Sequence, residues 1–511
     1  MTYLPPLTVP LAAISLLVHS GHPVLWILGA LHITGFMLVV YDCLRHRRKA
    51  DSALLWIFIA WSFTLFGALL YLYFGVDRVP GVRHRRNRRD RELDKELKSR
   101  EEGDLPLLYW RHVHEAAKAE PTSDVCKSIN RCMGAIIPDH PLLAGNRIEP
   151  LIAGDEAYPK MIEAIRGAQH HIHLESFIIG ADEVGAQFLD ELCRKAREGV
   201  KVRILYDRFG STHAVWEGFF KKYQHIDHLR IIGFTQANLL RRQFAINLRN
   251  HRKILVVDGL HAFSGGTNLA IDNVTREDHP AIQDYHFSIH GPIVQELQYT
   301  FLQDWYSMTR ETPADLLTAS YFPEIPFEGT AMMRLINSGP VTPDEPITSA
   351  VFSAFTQARK QILAVTPYFV PTEDILFALK AAAQRGVDTR LIVPQQNNHF
   401  YAGLACAALY EEMLESGVQI YERHPPFSHA KGLVVDDVFT LIGSANLDVR
   451  SLRLNFETCL SVHDENFAGL MKSIILNDQA SSSPVHLALW RKRHHYRRLM
   501  ENAASLLTPM L

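Results

Sequence analysis

From Met1 to Tyr41 the chain carries no Asp, Glu, Lys or Arg, and from Ala53 to Val76 it carries none again. Charge-free runs of this length exclude an ordinary soluble N-terminus, because about 20 apolar residues suffice to cross roughly 30 Å of hydrocarbon. Two spans are expected, at 23–41 and 53–76, with a shorter, partial insertion at 7–18 that contains Pro10. A secretory signal fits poorly, since the start is not basic and the apolar region is too long. Cysteine is scarce and scattered: Cys43, Cys126, Cys132, Cys193, Cys406 and Cys459 form no CxxC and no His/Cys zinc spacing. This argues against a disulfide framework and a structural zinc site, and no cofactor is expected. A formal net charge of −2 over 511 residues gives no global attraction to an anionic partner. No sequence-reading nucleic-acid module is visible.

Basic residues concentrate locally instead. Segment 42–52 holds four Lys/Arg and segment 77–91 holds seven Arg, so both flanks of the second span are basic. Under the positive-inside rule the larger cluster places the long C-terminal part in the cytoplasm, and a re-entrant hairpin would reconcile both flanks. Residues 83–125 read as a charged, largely helical connector whose arginines would sit near anionic headgroups.

From about residue 146 apolar strands alternate with amphipathic helices. The order "HIHLESFII" (171–179), "GAQFLDELCRKAREG" (185–199), "VKVRILYD" (200–207) returns as "QILAVTPYFV" (361–370), "TEDILFALKAAAQRG" (372–386), "VDTRLIVP" (387–394). This is an internal duplication of large units, and strand–helix alternation points to helix-covered parallel sheets. The fold class is α/β, two similar halves related by a pseudo-two-fold axis and preceded by N-terminal transmembrane helices. The segments are an anchor (1–80), a connector (81–145), a first half (146–325), a second half (326–486) and a basic amphipathic C-terminal stretch (487–511).

Each half contains the same polar motif within an apolar run. The first has His251, Lys253 and Asp258; the second has His429, Lys431 and Asp436; and the two histidines lie 178 residues apart. In a strand, residues two apart share a face, so each His–Lys pair points one way and each Asp, at an odd offset, the other. His and Lys are therefore assigned the chemistry. Asp258 and Asp436 sit where hairpins begin and complete the catalytic motif chiefly as turn organisers. Downstream come two small-residue hooks, Gly265-Gly266-Thr267-Asn268 and Gly443-Ser444-Ala445-Asn446. Asn268, Asn446 and Ser444 are suited to donate to phosphate oxygens. Histidine needs an acceptor for its second ring nitrogen. Asp284 and Glu457, 33 and 28 residues after their respective histidines, are the expected orienting carboxylates. His286 and the 170–173 histidine cluster read as ordinary strand residues.

The paired HxKx4Dx6G[GS]xN motifs resemble those of the phospholipase D superfamily. The N-terminal spans, "TPYFVP" (366–371) and "VRSLRLNFE" (449–457) resemble the bacterial cardiolipin synthases within it. The resemblance implies two phospholipase D-type halves meeting at one active site, and a covalent phosphohistidine formed without metal. It also implies phosphatidylglycerol as substrate and a bacterial inner-membrane, multi-pass location. It leans to His251 as nucleophile and His429 as acid/base, although the sequence itself is symmetric between them. Gly266, where the second half has Ser444, departs from that symmetry.

Two segments favour an anionic phospholipid over other phosphodiesters. "NLLRRQFAINLRNHRK" (238–253) and the 487–511 stretch interleave basic with apolar and aromatic residues, as interfacial segments do. The competing readings are a phospholipase D-type hydrolase, a transferase with another acceptor, and a membrane-tethered nuclease. Two spans and the lack of a reading module make nucleic acid the poorest fit. Oligomeric state is not legible.

Overall fold

The computed structural model describes residues 23–45, 50–72, 79–101, 114–115, 117–235, 237–238, 243–244, 248–277, 279–340, 342 and 345–506. The chain divides into two compact units, Met1–Gly81 and Val82–Leu511.

In the first unit, helix Pro23–Arg45 is long and apolar enough to cross a membrane, the one such helix among the described residues. The expected second span is not one continuous helix. Ala50–Ser62 has 13 residues, a rise of about 20 Å against roughly 30 Å of hydrocarbon. Leu65 then takes a positive φ of 56° before the short helix Phe66–Leu70. The partial insertion at 7–18 lies outside the described residues.

The second unit is built on a single sheet of 15 strands. At its centre Leu143–Ile152 pairs antiparallel with Ala331–Ser338. Outward from Leu143–Ile152 run Tyr285–His290, His261–Gly265, Ile254–Val257, His171–Ser176, Lys201–Asp207 and Leu229–Phe234. Outward from Ala331–Ser338 run Glu457–His463, Phe439–Gly443, Gly432–Val435, Gln361–Val365, Asp388–Pro394 and Gln419–Arg423, with Ser482–Pro484 at that edge. The two series match strand for strand, which is the duplicated order read from the sequence.

Two expectations change. The halves share one continuous sheet, because their first strands pair with each other. The sheet is also mixed: His171–Ser176, Lys201–Asp207 and Leu229–Phe234 are parallel, whereas the strands around the histidine motif are antiparallel. The antiparallel part follows from tight turns, Asp258-Gly259 with φ of 53° and 68° and Asp436-Asp437 with 53° and 60°. Two successive positive φ values make the hairpin turn that matches strand twist, and Asp and Gly tolerate it.

Helices Glu183–Arg197 and Glu373–Gln384 bury one apolar stripe each, through Phe188, Leu189 and Leu192 and through Ile375, Leu379 and Ala382. The connector forms helix Val79–Glu101, whose Leu93 and Leu97 pack on Phe301, Leu302 and Trp305 of helix Ile293–Met308. Its arginines do not all face outward as expected. Arg86 forms a buried ion pair with Asp304, and Arg89 donates to the carbonyls of Ser307 and Thr309. The C-terminal arginines are likewise engaged with protein, Arg491 and Arg498 with Glu411, and Arg493 and Arg497 with Glu501.

Candidate active site

The two HxK segments arrive at the site by reciprocal backbone pairing between the halves. The N–H of His251 donates to the carbonyl of Phe456 at 2.9 Å, and the N–H of Phe456 donates to the carbonyl of Arg249 at 2.9 Å. In the other half the N–H of His429 donates to the carbonyl of Gln283 at 2.7 Å, and that of Gln283 to the carbonyl of Phe427 at 3.0 Å. Each histidine therefore sits beside the residue that precedes the other half's carboxylate, and the imidazole centroids end 6.5 Å apart.

That pairing exchanges the orienting carboxylates. His251 Nδ1 lies 3.0 Å from Glu457 Oε2, and His429 Nδ1 lies 2.7 Å from Asp284 Oδ2. Each carboxylate serves the opposite histidine and not the one before it in sequence. Spacing along the chain cannot reveal this, because it is set by the cross-half pairs. Both carboxylates are buried and stay ionised. Contact with the imidazoles and Lys431 and Lys253 outweighs a desolvation that works the other way, leaving both below the usual range. Desolvation holds both imidazoles below their ordinary pKa, His429 at about 4, with the ammonium of Lys431 adding to the effect on His429. A neutral imidazole that donates Nδ1–H to a carboxylate presents the lone pair of Nε2. That is the form a nucleophile or base requires.

Lys253 and Lys431 fold back onto the carbonyls of His251 and His429. Lys431 Nζ also comes within 2.8 Å of His429 Nδ1 and 3.6 Å of Asp284 Oδ2. Burial pushes Lys253 down to about 7 and Lys431 to about 8. Two ammonium groups this desolvated are poised for an anion.

Gly265 and Gly443 adopt the same backbone, with φ of 149° and 148°, and a Cβ there would meet the carbonyls of Tyr285 and Thr458 at 2.5 and 2.3 Å. These hooks bring Asn268 and Asn446 to a cavity of about 700 Å³ that His251 and His429 also line. Asn268 Oδ1 accepts from the N–H of Ile178 at 3.3 Å, which leaves its amide N–H groups for a ligand. Phe177, Tyr368 and Phe427 supply aromatic walls.

Ser444 does not line this cavity. Its hydroxyl donates to Glu457 Oε2 at 2.5 Å and accepts from the N–H of Thr458 at 3.0 Å, so it positions the carboxylate and does not face a phosphate. Gly266 stands in its place because Asp284, one methylene shorter than Glu457, hugs the backbone: a Cβ at Gly266 would lie 2.0 Å from Asp284 Oδ1.

Asp258 and Asp436 are also placed away from the chemistry. Asp258 accepts from the backbone N–H groups of Gln169, His170 and His171 at 2.7, 2.8 and 2.9 Å. Asp436 accepts from those of Arg359, Lys360 and Gln361 at 2.8, 2.7 and 2.8 Å. Each carboxylate ties its hairpin to the start of the neighbouring antiparallel strand, His171–Ser176 or Gln361–Val365. Among the described residues neither hydrogen-bonds a motif histidine, so their place among catalytic groups is corrected to a structural one. His171, His173 and His286 are buried strand residues, as expected.

One feature had no sequence signal. Behind His251, Asp304 accepts from Arg252 and Arg86, and Asn250 donates to both Glu175 and Asp304. Burial raises Glu175 well above the carboxylate range. In the second half Val365 and Ala430 stand where Glu175 and Arg252 stand in the first, so the duplication hides this cluster. Among the described residues no group of three or more His, Cys, Asp or Glu side chains is arranged to hold a metal ion.

The family described as "Cardiolipin synthase, PLD-like domain" matches residues 161–305 and 351–479. A cardiolipin synthase of Geobacillus thermodenitrificans is 33% identical over 96% of this chain and 95% of its own length. Cardiolipin synthase A of Pseudomonas entomophila is 32% identical over 96% of this chain and 99% of its own. The fold is shared with a phosphatidylserine synthase of Haemophilus influenzae, at 17% identity and a TM-score of 0.57, covering 75% of this chain and all of that one. These matches span both halves and reach beyond them to nearly the full length, and the chain belongs to the cardiolipin synthase family of phospholipase D-like proteins.

Proposed function

We propose that this protein joins two phosphatidylglycerol molecules into cardiolipin and releases glycerol. It is a phosphatidyltransferase by family. The observation that carries the mechanism is the pair of imidazoles 6.5 Å apart at one cavity. Each is oriented by a carboxylate from the opposite half. In this reading His251 Nε2 attacks the phosphorus of the first lipid. The P–O bond to the headgroup glycerol breaks, and His429 gives its proton to the leaving oxygen. The anionic phosphodiester is what raises His429 enough to carry that proton. The 3′-hydroxyl of a second phosphatidylglycerol then attacks the phosphohistidine. His429 takes the hydroxyl proton, and the P–N bond breaks. Lys253, Lys431, Asn268 and Asn446 offset the charge that builds on the equatorial oxygens. The resemblance supports His251 over His429 as nucleophile.

The partition between transfer and hydrolysis turns on water. Phe177, Tyr368 and Phe427 help keep it from the phosphoenzyme. The two halves, 146–325 and 326–486, are proposed as one duplicated unit with pseudo-two-fold symmetry. The basic flank at 77–91 supports anchoring at a bacterial inner membrane with the catalytic part in the cytoplasm, and the charge-free run at 53–76 supports a second membrane pass. The interfacial role of 238–247 rests on sequence, because most of that segment lies outside the described residues.

Purified protein given labelled phosphatidylglycerol in vesicles is expected to yield cardiolipin and glycerol in equal amounts. His251→Ala and His429→Ala are each expected to abolish turnover while membrane insertion persists. Phosphatidic acid as the dominant product, or retained turnover in either variant, refutes the reading.

A further inference from the structure

Helix His495–Ser505 has its amphipathic pattern inverted. An ordinary surface helix turns its apolar stripe to the core and its charges to water. Here the buried positions are Glu501 and Ala504, and Arg493 and Arg497 hold the Glu501 carboxylate at 2.7 and 3.2 Å. The outward positions are Tyr496, Leu499 and Leu506, which are 67%, 53% and 80% exposed. Their spacing of three and seven residues puts them on one helical face. Leu489, on the short helix Leu487–Trp490 just before, is exposed as well.

Exposed aromatic residues also lie between this helix and the catalytic cavity. Helix His495–Ser505 packs along helix Phe400–Ala408. Phe400 and Arg497 line one small cleft of about 300 Å³, and the next residue, Tyr401, lines the catalytic cavity itself. Phe400 and Tyr401 are both exposed. Phe209, exposed too, lines that cavity from the other half. The two loops are counterparts, each following a parallel strand of its half, Lys201–Asp207 and Asp388–Pro394. Residues 395–403 contain no Asp, Glu, Lys or Arg, so no charge is stripped of water when this loop meets an apolar phase.

We propose that this surface, formed by Leu499, Leu506 and Tyr496 with Phe400 and Tyr401, docks the catalytic unit on the lipid bilayer. The inference rests on the reading that the substrates are bilayer phospholipids. Such lipids reach the cavity when its mouth meets the headgroup layer, and Tyr401 belongs to both the mouth and the exposed apolar surface. The leucines then enter the acyl boundary, while Tyr496 and Tyr401 sit at the headgroup level that tyrosine favours. Charge plays the lesser part, because Arg491 and Arg498 are engaged by Glu411, and Arg493 and Arg497 by Glu501. Burial of apolar surface is what holds the helix to lipid.

The test sets two presentations of substrate side by side, with full-length protein in phosphatidylcholine vesicles. Long-chain phosphatidylglycerol is mixed into the vesicles, or short-chain phosphatidylglycerol is supplied from water below its micelle concentration. Released glycerol counts turnover whether the phosphoenzyme passes to a lipid or to water. Both rates come from the same folded molecules, and neither altered side chain lines the catalytic cavity. In Leu499→Asp and Leu506→Asp the ratio of vesicle to short-chain turnover is expected to fall about tenfold. A bimane label on Leu499→Cys, the native cysteines being buried or half-buried, is expected to be quenched by lipids that carry a nitroxide on the acyl chain. A ratio within twofold of the parent in both aspartate variants overturns the proposal. So does a label shielded from water yet unquenched by nitroxide, the sign that a protein surface covers the helix. Phosphatidic acid as the parent's product would overturn the transfer reading and leave the ratio readable, so the two failures are distinct.

Discussion

Duplication alone suggests that Gly266→Ser is harmless, since Ser444 occupies the same place in the second half. The packing says otherwise. A Cβ at Gly266 would lie 2.0 Å from Asp284 Oδ1 and 2.7 Å from its Cγ, where ordinary contact begins near 3.4 Å. The carboxylate cannot simply give way, because Oδ1 accepts from the N–H of Tyr285 at 2.8 Å and Oδ2 from His429 at 2.7 Å. It must shift by more than an ångström, which breaks the bond that orients His429. General acid–base catalysis contributes roughly 10²–10⁴-fold, so kcat for cardiolipin formation is expected to fall by about 10²-fold or more. Backbone strain is not the cause, since Gly266 is not among the positive-φ positions. Adding Asp284→Glu to Gly266→Ser rebuilds the Ser444–Glu457 arrangement and is expected to recover about tenfold of the loss. Initial rates measured by mass spectrometry of the product in vesicles decide it. A single variant within threefold of the parent would refute the reasoning that one missing Cβ fixes this carboxylate.

Asp258→Ala and Asp436→Ala each leave three backbone N–H groups without their acceptor, at an expected cost of about 2 kcal/mol. Thermal midpoints should drop by several degrees, while activity per folded molecule stays within a few-fold. An unchanged midpoint with activity lost would return these aspartates to the chemistry. With Lys253 near 7 and Lys431 near 8 in the empty site, binding a phosphodiester takes up protons. Affinity is therefore greatest below pH 7 and falls as pH rises past 8. KM for phosphatidylglycerol is expected to rise about tenfold or more between pH 7 and pH 9. A flat profile would mean that the lysines do not recharge.

The parts of the site that sequence exposes are those tied to local spacing. His251 with Lys253, His429 with Lys431 and the two glycine hooks are short-range patterns, and their repetition 178 residues apart made them legible. The roles of Asp258 and Asp436 followed from strand parity. What sequence could not give depends on contacts between the halves. Asp284 and Glu457 could be named as orienters, but their exchange depends on backbone pairs between segments far apart in the chain. Ser444 looked like a phosphate ligand because the direction of a hydroxyl is not encoded in spacing. A charge-free run read as one helix from 53 to 76 is instead interrupted at Leu65. Hydropathy reports where apolar residues lie and not whether the backbone stays regular between them.

Because each imidazole borrows its carboxylate from the other repeat, neither repeat by itself owns a complete catalytic set. A chain carrying a single repeat could react only by docking with a twin, whereas covalent linkage makes that encounter permanent and concentration-independent. Linkage also releases the two copies from having to stay identical. That freedom shows in the cavity, where the two repeats place Arg249 against Phe427 and Asp272 against Arg450 at matching positions.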